Sequence, residues 1–264
     1  MTDRSIMTKK IQKRTAVTCV IGLGYVGLPE AISFAQAGYR VIGIDINRER
    51  LNQLNAGLSY IPDVDSNTLA SLVGAGRLSA TGDLDALREA DCVCICVPTP
   101  LRKTGDPDIS YVLAAVEAIR ATLHRGQVII LESTTYPGST EEAVLPILES
   151  TGLKVGRDFY LAFSPERINP GDSKYPSTSI PRVVGGITPR CLEMAAAFFR
   201  QVVDRVVPIS SARAAEMVKL LENTFRSVNI GLVNEMTLMC RNFDLDVWEI
   251  VDAAATKPFG FMPF

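Results

Sequence analysis

Short apolar, β-branched runs alternate with longer helical patterns from Thr15 to about Ile209, and this alternation constrains the fold more than any other feature. Six strands are predicted, at residues 17–21, 40–44, 91–97, 127–131, 160–163 and 206–209. Helical patterns lie between them, at residues 26–37, 48–56, 67–74, about 109–123, 139–149 and 189–202. Because strands that alternate with helices are joined by parallel crossovers, the sequence predicts a doubly wound α/β sheet.

The pattern changes after the last predicted strand. Residues 210–241 contain no turn signal except Gly231, so they predict one helix of about 30 residues, followed by a shorter helix over 246–254. A mainly helical region, residues 210–264, therefore follows an α/β domain of residues 15–209. The polar and basic residues 1–14 are predicted to form a flexible N-terminal arm.

A glycine-rich turn follows the first predicted strand and opens a helix. Its sequence has Gly-x-Gly-x-x-Gly spacing, formed by Gly22, Leu23, Gly24, Tyr25, Val26 and Gly27. In this pattern Gly22 allows the tight turn, Gly24 lets a pyrophosphate approach the backbone, and Gly27 lets the helix pack closely on the strand. The free N–H groups at the start of the helix can bind the phosphates. Residues 15–209 are therefore predicted to be a Rossmann-type dinucleotide-binding domain.

The second predicted strand ends in an acid, Asp45, which lies 18 residues after Gly27. A carboxylate there can bind both ribose hydroxyls and would repel a 2′-phosphate, which favours NAD over NADP. Arg48 and Arg50 lie close by and leave a minor NADP alternative open. Arg50 is counted with the cofactor site.

Polar loops follow three predicted strands, at the sheet edge where α/β proteins bind ligands. They cover residues 97–100, 132–138 and 163–172. On the long helix, Lys219 and Asn223 are four residues apart and share a face, from which they could hold a developing oxyanion. Taken singly, each loop could be a plain connection and the two helical residues a solvated polar stripe.

Composition excludes several classes of protein. The net charge of −2 leaves no basic footprint for nucleic acid, and no apolar run reaches the roughly 18 residues that span a membrane. The N-terminus carries no secretory signal pattern. Cys92, Cys94 and Cys96 alternate on one face of a strand and form no metal-binding pair, so we expect no metal site and buried, reduced thiols in a cytoplasmic protein.

Five motifs occur in an order that resembles the UDP-glucose/GDP-mannose dehydrogenase family. They are Gly22-Leu-Gly-Tyr-Val-Gly-Leu-Pro29, Val97-Pro-Thr-Pro100, Glu132-Ser-Thr-Thr135, Ser164-Pro-Glu-Arg-Ile-Asn-Pro-Gly-Asp172 and Lys219-Leu-Leu-Glu-Asn-Thr-Phe225. The resemblance covers the chain from about Thr15 to its last residue. It implies a four-electron oxidation in which a sugar hydroxymethyl group becomes a carboxylate and two NAD are reduced.

The resemblance also implies roles for individual residues at the cofactor end. Asp45 would bind the adenosine ribose, and Pro98 and Thr99 would line the nicotinamide end. Thr134 would lie beside both the cofactor and the reacting water.

At the substrate end, Glu166 would position or activate the hydrolytic water together with Thr134. Lys219 and Asn223 would bind the sugar and stabilise the oxyanion, and Arg167 would contact the substrate. Hydride leaves most easily as the alcohol loses its proton beside fixed positive charge, which suits Lys219.

Two departures from the family pattern refine these expectations. The stretch 167–172, taken with residues 257–264, is similar to members that oxidise UDP-N-acetylhexosamines, UDP-N-acetylglucosamine in particular. The family's nucleophilic cysteine lies in a Gly-Gly-x-Cys loop that would follow residue 264, ahead of a UDP-binding domain, and Cys240 lies within the long helix instead. The resemblance therefore implies that residues 1–264 alone lack the nucleophile, and that the long helix mediates a homodimer.

Two alternatives remain open at this point. The chain could be a non-catalytic NAD-binding remnant. It could also be a two-electron hydroxyacid dehydrogenase of the 6-phosphogluconate type, although the loops around Glu166 and Thr99 argue against this.

Overall fold

The computed structural model describes residues 3–167 and 179–262. Contacts divide the chain into two compact units, residues 1–217 and 218–264. The first unit contains the sheet, and the second contains most of the long helix. This division falls within the long helix, and the boundary predicted between residues 209 and 210 stays a prediction.

Eight strands form one sheet, in the order β3-β2-β1-β4-β5-β6-β7-β8. Their bounds are β1 Val17–Ile21, β2 Arg40–Ile44, β3 Leu78–Thr81, β4 Cys92–Ile95, β5 Val128–Leu131, β6 Tyr160–Phe163, β7 Arg182–Gly186 and β8 Val206–Ile209. The order reverses direction at β1, which places the crevice of a doubly wound sheet next to the glycine-rich turn. The predicted α/β fold is confirmed.

Nine α-helices flank or follow the sheet in the described part of the chain. Their bounds are α1 Asp3–Gln12, α2 Gly27–Gln36, α3 Arg48–Asn55, α4 Ser66–Gly74, α5 Ser110–Thr122, α6 Leu145–Glu149, α7 Pro189–Phe199, α8 Ala212–Asn242 and α9 Val247–Ala255. A 3₁₀ helix covers Leu84–Glu89, and a π-helical turn, Thr140–Val144, leads into α6. The long helix predicted after residue 210 is confirmed as α8.

Two strands, β3 and β7, were not predicted from the sequence. The second carries two glycines, which weaken a strand signal because they add no side chain to pack. The fold needs both of them. A Cβ on Gly185 would lie 2.0 Å from the backbone oxygen of Ser211, and one on Gly186 would lie 2.3 Å from the backbone nitrogen of Leu192.

The sheet is not wholly parallel, which corrects the expectation of parallel crossovers throughout. β7 runs antiparallel to β6, with Ala162 opposite Gly186 and Phe163 opposite Gly185. The start of β7 therefore lies at the same sheet edge as the end of β6. This reversal brings Arg182, the first residue of β7, to the edge where ligands are expected.

Residues 3–12 form helix α1 rather than the loose arm predicted for residues 1–14. Met7 and Ile11, one helical turn apart, are buried in the core of the first unit. The Tyr39 hydroxyl also donates a hydrogen bond of 2.9 Å to the Ile11 carbonyl. Two apolar residues among basic ones gave too weak a pattern, and the tertiary contacts supply the stability.

An aromatic cluster holds α2 and α7 together on one side of the sheet. The rings of Phe34 and Phe198 stack with their centroids 4.5 Å apart, and Tyr39 and Phe199 complete the cluster. All six cysteines are free and buried, as predicted from their positions. Within residues 3–167 and 179–262, no helix has the length and apolar character needed to cross a bilayer.

Candidate functional site

The glycine-rich turn joins β1 to α2, and the surroundings of its three glycines differ. Gly22 has a φ of +91°, and a Cβ there would lie 2.7 Å from the Cys96 carbonyl oxygen. A Cβ on Gly27 would lie 1.8 Å from the Gly22 carbonyl oxygen. Around Gly24, by contrast, a Cβ would meet no atom within 4 Å. The chain itself requires Gly22 and Gly27, whereas the open space at Gly24 is available to a ligand.

Asp45 follows the end of β2 and faces the turn. One of its carboxylate oxygens accepts a hydrogen bond of 2.8 Å from the Leu23 backbone N–H, and the other accepts one of 2.8 Å from the Asn47 N–H. Asn47 in turn caps α3 by accepting from Glu49 and Arg50. The carboxylate is only 7% exposed, so it is held in place beside the turn.

Arg50 and Tyr60 complete this corner of the site. The Arg50 guanidinium lies 3.5 Å from an Asp45 oxygen and 5.9 Å from the centre of the Tyr60 ring. The Tyr60 hydroxyl donates a hydrogen bond of 2.8 Å to the Leu23 carbonyl. Burial, reinforced by the Asp45 charge, raises the pKa of Tyr60 to about 12, so the phenol stays neutral.

A cavity of about 320 Å³ opens beside the turn, next to Asp45. It is lined by Gly24, Tyr25, Asn47, Glu49, Arg50, Gln53, Tyr60 and Ile61. Ile46, an apolar residue that is 91% exposed, directly follows Asp45 in the chain. The predicted cofactor residues Gly24, Tyr25 and Arg50 therefore meet at one cavity.

The loops after β4 and β5 are tied to each other. The Ser133 hydroxyl lies 2.7 Å from the Val97 carbonyl and donates a hydrogen bond to it. Thr99 is half-buried and Pro98 is exposed in the first of these loops. In the second, Thr134 is exposed, whereas Thr135 is buried with its hydroxyl oxygen 2.7 Å from that of Ser139. Thr134 is thus the threonine of this pair that can reach a ligand.

Glu166 lies after β6 and is buried, with 8% of its surface exposed. Its neighbour Arg167 is half-buried and donates a hydrogen bond of 2.8 Å to the Pro181 carbonyl. The remainder of this predicted loop, residues 168–172, lies outside the described residues.

A buried ion cluster, formed by Arg182, Glu30 and Glu132, lies beneath these loops. Arg182 Nη1 is 2.9 Å from Glu132 Oε2, and Nη2 donates to Glu30 Oε2. The guanidinium also lies 4.6 Å from the centre of the Phe199 ring. We refer to these three residues as the Arg182 cluster. Their pairing could not be predicted from the sequence, because Arg182 lies 152 residues from Glu30 and 50 residues from Glu132 in the chain.

Glu216, in the second turn of α8, was also missed. Its fully buried carboxylate accepts hydrogen bonds from the backbone N–H groups of Gly138 and Thr140 and from the hydroxyls of Ser139 and Thr140. These groups follow the loop that carries Thr134. Glu216 therefore fixes the start of α8 to that loop. Its partners lie 76 to 78 residues away in the chain, so no local pattern predicts these contacts.

Lys219 and Asn223 lie on the part of α8 that belongs to the second unit. Both are half-buried, and their spacing puts them on one face of the helix. The Asn223 amide oxygen accepts a hydrogen bond of 2.7 Å from Arg226. Among the described residues, no group of three or more His, Cys, Asp or Glu side chains is placed to hold a metal ion.

The sheet order, the glycine-rich turn and the acid beside it define a dinucleotide-binding protein of the Rossmann class. Residues 16–203 match the NAD-binding domain of the UDP-glucose/GDP-mannose dehydrogenase family, and residues 213–264 match its central domain. The chain belongs to this family, as its motifs indicated.

Similar proteins act on N-acetylated sugars, according to their names. The chain is 39% identical over 241 residues to UDP-N-acetyl-D-mannosamine dehydrogenase of Pyrococcus horikoshii, covering 90% of this chain and 57% of that protein. It is 39% identical over 247 residues to UDP-N-acetyl-D-glucosamine 6-dehydrogenase of Pseudomonas aeruginosa, covering 93% and 57%. The solved structure of the Pyrococcus horikoshii UDP-D-ManNAc dehydrogenase matches with a TM-score of 0.87 at 38% identity, covering 94% of this chain and 60% of that one. This chain spans less than two thirds of the length of these relatives.

The different environments of the glycines generate a paired prediction. Gly24→Ala should leave the free energy of unfolding nearly unchanged and weaken NAD binding by about tenfold or more, because the added methyl occupies space kept for the pyrophosphate. Gly27→Ala should destabilise the fold by about 2 kcal/mol or more, because its methyl meets backbone atoms. Urea unfolding and calorimetric titration with NAD measure the two effects. Equal loss of stability in both variants would contradict the assignment.

Proposed function

We propose that this chain forms the NAD-binding and central parts of an enzyme that oxidises the 6-hydroxymethyl group of a UDP-N-acetylhexosamine to the uronate. UDP-N-acetylglucosamine is the first candidate substrate. The observation that carries the proposal is the convergence of Thr99, Thr134 and Glu166 after neighbouring strands of a sheet whose crevice holds a dinucleotide turn. The similar proteins named above support the class of substrate, and they include enzymes for both N-acetylglucosamine and N-acetylmannosamine.

The residues beside the turn fit NAD. The space around Gly24 suits the pyrophosphate, and the N–H groups at the start of α2 would bind it. The cavity next to Asp45 suits the adenosine, with the exposed Ile46 available to cover the adenine ring. Pro98, Thr99 and Thr134 would hold the nicotinamide end. When bound, NAD supplies the acceptor for the hydride that leaves the sugar carbon.

The chain's own residues account for the movement of protons and charge. Lys219 and Asn223 would hold the sugar oxygen and stabilise the negative charge that it gains as its proton leaves. Glu166 and Thr134 would orient the water that enters the product, and Glu166 would take a proton from it. Arg167 would contact the substrate.

The cysteines of this chain do not suit the covalent step implied for the second oxidation. That step needs a thiolate that attacks the aldehyde, and all six thiols are buried. Burial raises the pKa of Cys92, Cys94 and Cys96 well above the ordinary value, and the carboxylates Glu132 and Glu30 raise that of Cys94 and Cys96 further. The free thiols support a cytoplasmic location.

Asp45 should make the chain prefer NAD to NADP. Like charges about 4 Å apart repel by about 1 to 4 kcal/mol, so removal of the carboxylate charge should narrow the preference by about tenfold. Asp45→Asn is the informative variant, because its amide oxygen can still accept from the Leu23 N–H. Asp45→Ala, which loses that contact as well, should also weaken NAD binding. Equal calorimetric affinities of the unmodified chain for NAD and NADP would exclude this role.

Residues 1–264 alone should bind NAD and yield no uronate from UDP-N-acetylglucosamine, because none of their thiols can act as the nucleophile. The measurement is NADH absorbance together with mass detection of the sugar product. Turnover to the uronate by highly purified chain would show that a nucleophile has been overlooked.

A chimera tests the reaction itself. Residues 1–264 would be joined to the remaining C-terminal part of the Pseudomonas aeruginosa relative or, separately, of the Pyrococcus horikoshii one. Both chimeras should oxidise UDP-N-acetylglucosamine in preference to UDP-N-acetylmannosamine. Lys219→Ala and Glu166→Gln should each lower kcat by about 10²- to 10³-fold, whereas the exposed Glu117→Gln should not. A preference that follows the donated part would refute the substrate assignment to these residues.

We also propose that α8 mediates a homodimer. Seven apolar residues recur along α8 at mostly three- and four-residue steps and predict an apolar stripe, namely Met217, Leu220, Leu221, Phe225, Val228, Leu232 and Met236. All of them except Leu220 and Met236 are half or more exposed. A continuous apolar face of this kind is seldom left exposed to water. Light scattering at high concentration should give twice the chain mass.

Leu221→Glu with Leu232→Glu should shift that mass to the monomer, whereas Asn234→Glu, an exposed polar position on the same helix, should not. A monodisperse monomer of the unmodified chain would contradict the proposal.

A further inference from the structure

The Arg182 cluster joins three segments that approach the ligand-binding edge. Glu30 lies in the first turn of α2, Glu132 directly follows β5, and Arg182 begins β7. Continuing the β6–β7 register three residues beyond the pair Phe163–Gly185 places Glu166 opposite Arg182. The antiparallel turn of the sheet thus adds a third carboxylate to the surroundings of one guanidinium.

The charges in this cluster do not balance. Glu30 is 3% exposed, Glu132 is 1% exposed and the Arg182 side chain is 9% exposed. Glu30 Oε1 and Glu132 Oε1 are buried and have no hydrogen-bond partner among the described residues. Two buried carboxylates with one guanidinium leave an uncompensated negative charge, which is strongly unfavourable away from water. One proton held by the pair removes that charge.

Charged groups and thiols from the neighbouring segments affect the pKa values of Glu30 and Glu132. Burial raises the pKa of both glutamates, the charge of Glu30 raises that of Glu132 further, and Arg182 lowers both. A hydrogen bond with the Cys94 thiol also lowers the pKa of Glu132, whereas the charge of Glu166 raises the pKa of both. The thiols of Cys94, in β4, and of Cys96, just after it, face the same carboxylates. These directions agree with the count of charges, since they favour a neutral carboxyl group within the pair.

The cluster is also connected to the cofactor turn. Glu30 lies three residues after Gly27, on the helix whose first N–H groups face the expected pyrophosphate. A dinucleotide bound there brings negative charge to the N-terminal end of the same helical turn. That charge opposes the negative form of the glutamate pair.

We propose that Glu30 and Glu132, held by Arg182, share one proton near neutral pH and that binding of NAD at the adjacent turn makes the pair take up additional proton. The inference rests on the proposed NAD site but not on the sugar chemistry. It assigns Glu30, Glu132 and Arg182 as positioning residues that fix the charge beneath Glu166.

Bound negative charge raises the carboxyl pKa, so NAD binds most tightly below the pKa of the free protein, and affinity falls as the pH rises through the higher pKa of the complex. A unit charge about 10 Å away at an effective dielectric constant of about 20 shifts a pKa by roughly one unit. The dissociation constant for NAD should therefore increase by about tenfold as the pH rises from below the pKa of the free protein to above the pKa of the complex. The maximum uptake is about half a proton per site.

Calorimetric titration with NAD tests this on the chain as it stands. The binding enthalpy would be measured between pH 6 and pH 9 in buffers of different ionisation enthalpy, and its slope against that enthalpy gives the protons taken up. We expect uptake that passes through a maximum in this range. Glu30→Gln or Glu132→Gln should abolish it, whereas the exposed Glu117→Gln should leave it unchanged.

Infrared spectroscopy provides the second measurement, independent of whether the buried variants fold. The unmodified chain at pH 7 should show the C=O band of a protonated carboxyl group, and added NAD should strengthen it. NAD binding without proton uptake, unchanged uptake in both Gln variants, or absence of the carboxyl band at pH 7 would each overturn the proposal. Absence of NAD binding would instead overturn the proposed function, and the band in the cofactor-free chain would still decide whether the pair holds a proton.

Discussion

The ion pairs of Arg182 with Glu30 and Glu132 hold the ligand-binding edge of this protein together. They connect the helix after the glycine-rich turn, the loop that carries Thr134 and the strand that lies beside Glu166. Loss of Arg182 should cost about 3 to 5 kcal/mol, because the buried carboxylates would be left without a compensating charge. The positions of three separate segments therefore depend on one guanidinium, which also packs on Phe199.

The region around Asp45 also depends on a few contacts. Asp45 accepts hydrogen bonds from the turn and from the start of α3, so the acid that would select the cofactor also holds the turn in shape. The Tyr60 hydroxyl, from the segment after α3, adds a hydrogen bond to the Leu23 carbonyl of the turn. A change at Asp45 alters both charge and geometry, which is why the Asn and Ala variants carry different information.

Family membership and the geometry of the site support different conclusions about function. The matches to both family domains establish the class of protein, and the glycine-rich turn with its cavity gives a physical account of the cofactor. The choice of sugar depends on contacts that the similar proteins themselves divide between N-acetylglucosamine and N-acetylmannosamine. Lys219 and Asn223 lie on the second unit, and their catalytic roles rest on the resemblance and on helical spacing.

The sequence by itself determined the alternating sheet, the long helix α8 and the glycine-rich turn with Asp45. These features depend on local periodicity or on short spacings, which a single segment contains in full. It also indicated the loops that carry Thr134 and Glu166, because polar residues that follow buried strands mark the ligand-binding edge. The roles of these two residues are expectations from the family resemblance.

Only the tertiary structure decided the folding of α1, the direction of β7 and the partners of Arg182 and Glu216. Met7 and Ile11 are buried by contacts that the N-terminal segment cannot form alone, and β7 is a strand whose glycines are explained by neighbouring backbone. Arg182 meets its carboxylates across 152 and 50 residues of chain. Such contacts leave no local pattern, because a buried charge is identified by the groups that surround it and not by its neighbours in the sequence.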